Sequence, residues 1–245
     1  MANWSDPRPS AAPFGSQAAG ARDTASDAGL RSYMLSVYNY MTSGVLLTGI
    51  VALAFAYSGY AAAVFQTPLK WLIVLAPLAF VFAMSFGQGK FSTSTLRMMF
   101  WGFATAMGLS LSTIFLVYSP LAIAQAFFAT AAGFAALSLY GYTTKRDLSA
   151  FGTFLIVGVV GLIVASIINM FVQSGPLGML ISAVGVLLFA GLTAYDTQRT
   201  KSLYFQVAGN GELVGKAVVM SALSLYLDFI NMFLFILRLF GGNRD

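Results

Sequence analysis

Seven apolar runs fill most of this 245-residue chain, and each is long enough to cross a bilayer as a helix. They lie at Met34–Tyr57, Leu69–Phe86, Met98–Tyr118, Leu121–Tyr142, Phe151–Val172, Leu177–Tyr195 and Ala217–Phe240. A hydrocarbon core of ~30 Å takes about 20 helical residues. Charged residues make up 9% of the chain and hydrophobic ones 58%, with mean hydropathy +0.81. A soluble domain carries about 25% charged residues. The chain therefore reads as an all-α, polytopic membrane protein with the lipid bilayer as its solvent. No length is left for a separate soluble domain.

Residues 1–30 differ from the rest. They are rich in Ala, Ser, Gly and Pro, with Pro7, Pro9 and Pro13, and show no apolar periodicity. The expectation is a disordered cytoplasmic tail over 1–30 and a seven-helix transmembrane domain over 31–245. The tail lacks the 7–15-residue apolar segment of a secretory signal. Pro77 predicts a kink in the second run, and Ser119-Pro120 a tight hairpin between the third and fourth. No internal repeat points to an inverted-repeat transporter.

Basic residues give an orientation. With the N-terminus cytoplasmic, that side holds Arg8, Arg22, Arg31, Lys90, Arg97, Lys145, Arg146, Arg199, Lys201 and Lys216. The other side holds Lys70, Arg238 and Arg244, a ratio of ten to three. Cytoplasmic loops carry an excess of Lys and Arg. The net charge of +5 is therefore a topology signal, and no nucleic-acid partner is expected.

The chain has no cysteine and no histidine. That excludes disulfides, thiolate nucleophiles, imidazole or thiolate metal sites, and a Ser-His-Asp triad. Oxygen ligands remain, and these suit hard cations such as Ca²⁺. No cofactor is required, and the chain is not read as an enzyme.

Two aspartates stand where lipid should exclude them. Asp196 closes the sixth run, in Ala194-Tyr195-Asp196-Thr197-Gln198, and Asp228 lies inside the seventh. Asp228 is about twelve residues into its run, roughly 18 Å deep at 1.5 Å per residue. A charge at the bilayer centre costs at least a few kcal/mol, so such a residue is a functional candidate. Two carboxyls on consecutive helices suggest a shared site for protons or a cation. Sharing a proton, they would respond to pH as a coupled pair. Protonated they form a neutral latch; ionised they repel each other and attract a cation. The pair is also the candidate Ca²⁺ site.

Ser221, Ser224, Asp228 and Asn231 are spaced three, four and three, which puts them on one helical face. The Ser and Asn residues also suit plain interhelical packing. Thr193, Asp196, Thr197 and Thr200 share a face of the sixth run. Ser224, Asn231 and Thr193 are the candidate supporting groups. The small residues Gly102, Thr105, Gly108, Ser110, Ser112 and Thr113 of the third run read as packing, as does Asn169. Trp71 and Trp101 read as interfacial anchors.

The stretches Tyr38-Asn39-Tyr40-Met41, Gly108-Leu109-Ser110-Leu111-Ser112, Gly141-Tyr142-Thr143-Thr144-Lys145-Arg146-Asp147-Leu148, Ala194-Tyr195-Asp196-Thr197-Gln198 and Leu225-Tyr226-Leu227-Asp228-Phe229-Ile230-Asn231 occur in the order found in one family. From about Leu30 onward the chain resembles bacterial members of the Bax inhibitor-1 family, also called the transmembrane Bax inhibitor motif family. The resemblance implies six helices around a central C-terminal one, in a bacterial inner membrane. It also implies a pH-sensitive Ca²⁺ leak with Asp196 and Asp228 as sensor. Relatives carry an arginine near the second cytoplasmic turn that engages the sensor. Here Gln88 takes that position, in Gly87-Gln88-Gly89-Lys90, so Lys90 and Arg97 are the candidate cationic partners.

Two other functions fit the same features. One is a non-transporting regulator that binds a membrane protease or another membrane protein through its tail. The other is an intramembrane aspartyl protease, since Tyr195-Asp196 resembles one of its motifs and two carboxyls can activate water. The Gly-x-Gly-Asp sequence of presenilin-like proteases is missing, however: Tyr226-Leu227 precedes Asp228. Their Pro-Ala-Leu motif is missing too.

Overall fold

Short polar segments decide where the helices begin. In the computed structural model, which describes the backbone of residues 14–241 and the side chains of residues 27–241, four helices start on a side-chain cap. Ser92 accepts a hydrogen bond from the Thr95 N–H, and Ser119 from the Ala122 N–H, both at 3.2 Å. Ser174 accepts from the Leu177 N–H at 3.4 Å. Asn210 accepts from the Glu212 and Leu213 N–H groups at 3.1 and 3.2 Å. Each satisfies donors that a helix start leaves without an intrahelical partner.

The described helices, in order, are α1 (Phe14–Tyr57), α2 (Tyr60–Phe65), α3 (Leu69–Gly87), α4 (Thr93–Leu111), α5 (Ile114–Val117), α6 (Pro120–Thr143), α7 (Ser149–Val172), α8 (Gly175–Val207) and α9 (Gly211–Phe240). Seven segments are long and apolar enough to span a membrane, one for each apolar run. The chain is an all-α polytopic membrane protein.

Three details depart from the sequence reading. Of the expected 1–30 tail, residues 1–13 lie outside the described residues, and α1 begins at Phe14. From Phe14 to Leu30 the chain contains five alanines and no proline, and alanine is the strongest helix former. The third run breaks at Ser112-Thr113, where the Ser112 hydroxyl donates to Leu109 O at 2.7 Å in place of a regular helical turn. Pro77, where a kink is expected, lies inside α3. The sixth helix runs on to Val207, although its apolar run closes at Tyr195. Apolarity marks where lipid ends, not where the helix ends. Gln, Arg, Thr and Lys continue the helix until Gly209, whose φ of 99° only glycine adopts easily.

Burial ranks the helices. In the most apolar stretch of α9, 61% of residues are buried, against 11% in α3 and in α7. α9 packs on α8, α1, α6 and α4, while α3 packs chiefly on α4 and α7 chiefly on α8. The expected ring of six helices around the last is thus four close neighbours with two helices set outside them. The outer faces carry Leu72, Phe86, Phe154 and Phe171, all exposed. Exposed apolar surface on this scale is the sign of a lipid-facing wall.

Close approach and hydroxyl pairs fix the inner contacts. A Cβ at Gly108 would meet Thr48 O at 2.8 Å, so α1 and α4 cross backbone to backbone there. Thr48 Oγ1 donates to Ala104 O at 2.8 Å and pairs with Tyr226 Oη at 2.7 Å, which ties α1, α4 and α9 together. The Tyr226 ring meets Phe103 edge-on at 5.0 Å between centroids. At the α9 N-terminus, Glu212 accepts from the Thr93 N–H at 2.8 Å and caps α4.

Candidate functional site

The helical spacing of α9 splits its polar stripe in two. Ser221 turns toward α1, where its hydroxyl pairs with Tyr33 Oη at 3.3 Å. Ser224, Asp228 and Asn231 line a cavity of about 590 Å³ between α7, α8 and α9, and Asp196 of α8 lines it too. The remaining wall includes Leu162, Ser166, Phe189 and Phe235. The two aspartates singled out in the sequence therefore face one space.

Asp228 is 4% exposed. Its Oδ2 is, among the described residues, the one fully buried side-chain polar atom with no hydrogen-bond partner. Buried polar atoms in folded proteins are nearly always paired, so an orphan calls for a functional explanation. Asp196 is half-buried and close enough to Asp228 for the two charges to interact. The cation that acts on Asp196 is Arg199, three residues along the same helix. Asn231 donates to Leu227 O at 2.8 Å, which leaves its amide oxygen available to the cavity.

The other candidates are placed elsewhere. Thr193 is buried and donates to Phe189 O at 2.8 Å within its own helix. Arg97 lies over the Tyr40 ring, 5.9 Å from its centroid. Neither Arg97 nor Lys90 lines the cavity. Among the described residues no group of three or more Asp, Glu, His or Cys side chains forms a metal cluster. Asp196, Asp228, Asn231, Ser224 and Ser166 bring seven side-chain oxygens to the cavity wall, a number within the 6–8 ligands of a Ca²⁺ shell, but only two of the five groups are carboxylates. Such an arrangement can attract a cation.

The structure adds residues whose roles the sequence did not suggest. Gln198, two residues after Asp196, clamps the loop between α6 and α7. Its Oε1 accepts from the Leu148 N–H at 2.9 Å, and its Nε2 donates to Arg146 O at 2.7 Å. Lys201 donates to Tyr142 O at 2.9 Å. A Cβ at Gly141 would meet Ala194 O, so α6 and α8 touch two residues from Asp196. In that loop the Ser149 hydroxyl and N–H hold the Asp147 carboxyl below the usual carboxylate range. Thr197 pairs with Ser138 at 2.9 Å, and Ser138 pairs in turn with Tyr38 Oη, a chain of hydroxyls through α8, α6 and α1. Two of the conspicuous sequence stretches, 141–148 and 194–198, are thus two sides of one joint. The signal was their polarity at a membrane edge, but sequence gave no reason to pair them.

Comparison with known proteins agrees with this architecture. Residues 30–245 match the family described as "Inhibitor of apoptosis-promoting Bax1". An uncharacterized protein of Rickettsia prowazekii is 43% identical over 220 residues, covering 89% of this chain and 93% of the relative. An uncharacterized protein of Caulobacter vibrioides is 43% identical over 235 residues, 91% of this chain and 93% of its own length. "Inner membrane protein YbhL" of Escherichia coli (strain K12) is 43% identical over 220 residues, 89% of this chain and 94% of the relative. The full-length match and the seven spans together mean that this chain is a multi-pass inner-membrane protein of the Bax inhibitor-1 family.

Proposed function

We propose that this protein is a pH-sensitive cation leak, with Ca²⁺ as the transported ion and the Asp196–Asp228 pair as sensor and gate. The observation that carries the reading is the unpartnered Oδ2 of Asp228, buried in a cavity that Asp196 also lines. Two carboxyls in a low-dielectric site resist ionising together. With a shared proton they hold α8 to α9 as a neutral pair. Loss of that proton leaves two like charges that repel across the helix contact and draw in a cation. Flux therefore rises as pH rises. Only two of the oxygen-bearing groups are anionic, which favours passage over storage, because conduction needs binding weak enough for release.

The test is Ca²⁺ flux into proteoliposomes across a pH series, with wild type beside Asp196→Asn and Asp228→Asn. A pH-dependent flux in wild type that flattens in both variants is the expected result. No flux at any pH overturns the leak and leaves a membrane regulator as the reading. The ten-to-three charge ratio supports a cytoplasmic N-terminus and an extracytoplasmic C-terminus. Reporter fusions at both ends check this, and termini on the same side would refute it.

A further inference from the structure

A concavity larger than the aspartate cavity lies away from it, flanked by α1 and α6, which the Tyr38–Ser138 hydrogen bond joins. Phe229 of α9 forms part of the floor of the gap. The space measures about 1050 Å³ and continues past Gly49 and Phe127 into a further 330 Å³. No carboxylate lines either part.

Its walls are mainly aliphatic and aromatic, with the hydroxyls of Tyr38, Thr42 and Ser138 among them, and one end is basic. There Arg31 lines the mouth, exposed, and has no ion-pair partner among the described residues. Tyr142 stands at the same mouth, and the Lys201 ammonium lies 4.9 Å from its ring centroid. The positive-charge bias assigns this end to the cytoplasmic face. From Arg31 to Met41 the groove wall rises about 15 Å along α1, the depth of one leaflet.

We propose that this groove is a binding site for an anionic phospholipid of the leaflet at the α1 entry. Its phosphate sits at Arg31, with Lys201 adding positive potential, and its acyl chains lie along the exposed Leu35, Leu46, Ile50 and Leu139 over a floor that includes Phe229. An apolar trough ending in an unpaired guanidinium complements an amphiphile with a phosphate over hydrocarbon. A helix from a second copy of the chain would need an acidic residue at that level. Of the other acidic residues near that side, Asp147 is engaged by the Ser149 N–H, Glu212 by the Thr93 N–H, and Asp196 faces the other cavity, while Asp27 lies on α1 itself, four residues before Arg31.

Native mass spectrometry of the purified full-length protein tests the site. Phosphatidylglycerol and phosphatidylcholine with identical acyl chains are added in equal amounts. The expected result is preferential retention of phosphatidylglycerol by wild type. In Arg31→Ala the preference falls toward one, and Arg31→Lys restores part of it. Ala135 is exposed on the groove wall, so Ala135→Phe fills the space without displacing a buried neighbour and lowers retention of both lipids. Equal retention of the two lipids by wild type overturns the proposal. So does a preference that survives Arg31→Ala, or a lipid-free dimer that Ala135→Phe disrupts, which would assign the groove to a second copy. None of these readouts depends on ion flux.

Discussion

The two concavities beside α9 are opposites in chemistry. One holds two carboxyls, an amide and two serine hydroxyls between α7, α8 and α9. The other runs between α1 and α6 over Phe229 and, beyond its basic mouth, offers mainly hydrocarbon. Asp228 and Phe229 are consecutive residues on a helix that turns about 100° per residue, so one helix serves both. The contrast shows how a membrane protein partitions its interior. The carboxyls are confined to a space of their own, and the groove is shaped mainly by hydrocarbon with its charge at one end. The difference also sets what sequence can report. A carboxylate in an apolar run stands out because lipid makes it costly. A groove of Met, Leu, Val and Phe in a chain already 58% hydrophobic carries no signal at all.

The strongest way to break the comparison is to erase the polar space. Asp228→Leu removes a buried acceptor without a partner, and such a group costs about 1–3 kcal/mol. We expect this variant to lose the pH response of flux entirely while unfolding at a higher temperature than wild type. A variant both less stable and still pH-responsive would show that the carboxyl is structural. The thermal shift and the flux profile are measured on the same preparation.

A smaller effect is expected at the joint. Gln198→Leu abolishes two hydrogen bonds to the α6–α7 loop and leaves Arg146 O and the Leu148 N–H to water. A lost bond costs about 1 kcal/mol net, and about 1–3 if the freed group stays buried. Faster hydrogen exchange at Leu148 checks the expected loosening. Protection like that of wild type would mean the clamp is incidental.

Smaller again is the hydroxyl chain. Ser138→Ala deletes the link between Tyr38 and Thr197, with an expected cost of about 1 kcal/mol read from thermal unfolding in detergent. The smallest change is expected from Tyr226→Phe, because Thr48 keeps its bond to Ala104 O. We expect about 0.5–1 kcal/mol and an unchanged pH profile. An altered pH profile in Tyr226→Phe would connect the α1–α4–α9 contact to gating and blur the division between the two regions.

The same logic explains what could be read before the structure. The seven spans and the aspartate pair were legible because lipid penalises every departure from apolarity. Ser224 and Asn231 followed from helical spacing. Thr193 did not hold, because a threonine inside a helix can satisfy its hydroxyl on its own backbone, as it does at Phe189 O. The break at Ser112-Thr113 and the length of α8 were hidden, since apolarity reports the membrane and not the hydrogen-bond ladder. The α6–α7 joint was hidden for another reason. Gln198 and Arg146 are 52 residues apart, and nothing local in either stretch names the other.

The continuity of α8 from Gly175 to Val207 has a mechanical consequence. Arg199, the cation that acts on Asp196, rides on the same rod as the carboxyl it acts on. Sliding or tilting α8 carries both groups together, so the share of the field at Asp196 that comes from Arg199 is nearly invariant to such motion. Asp228 has no companion of this kind on α9. Displacing one rod against the other therefore changes chiefly the separation of the two carboxyls, and the motion is registered in their interaction with each other.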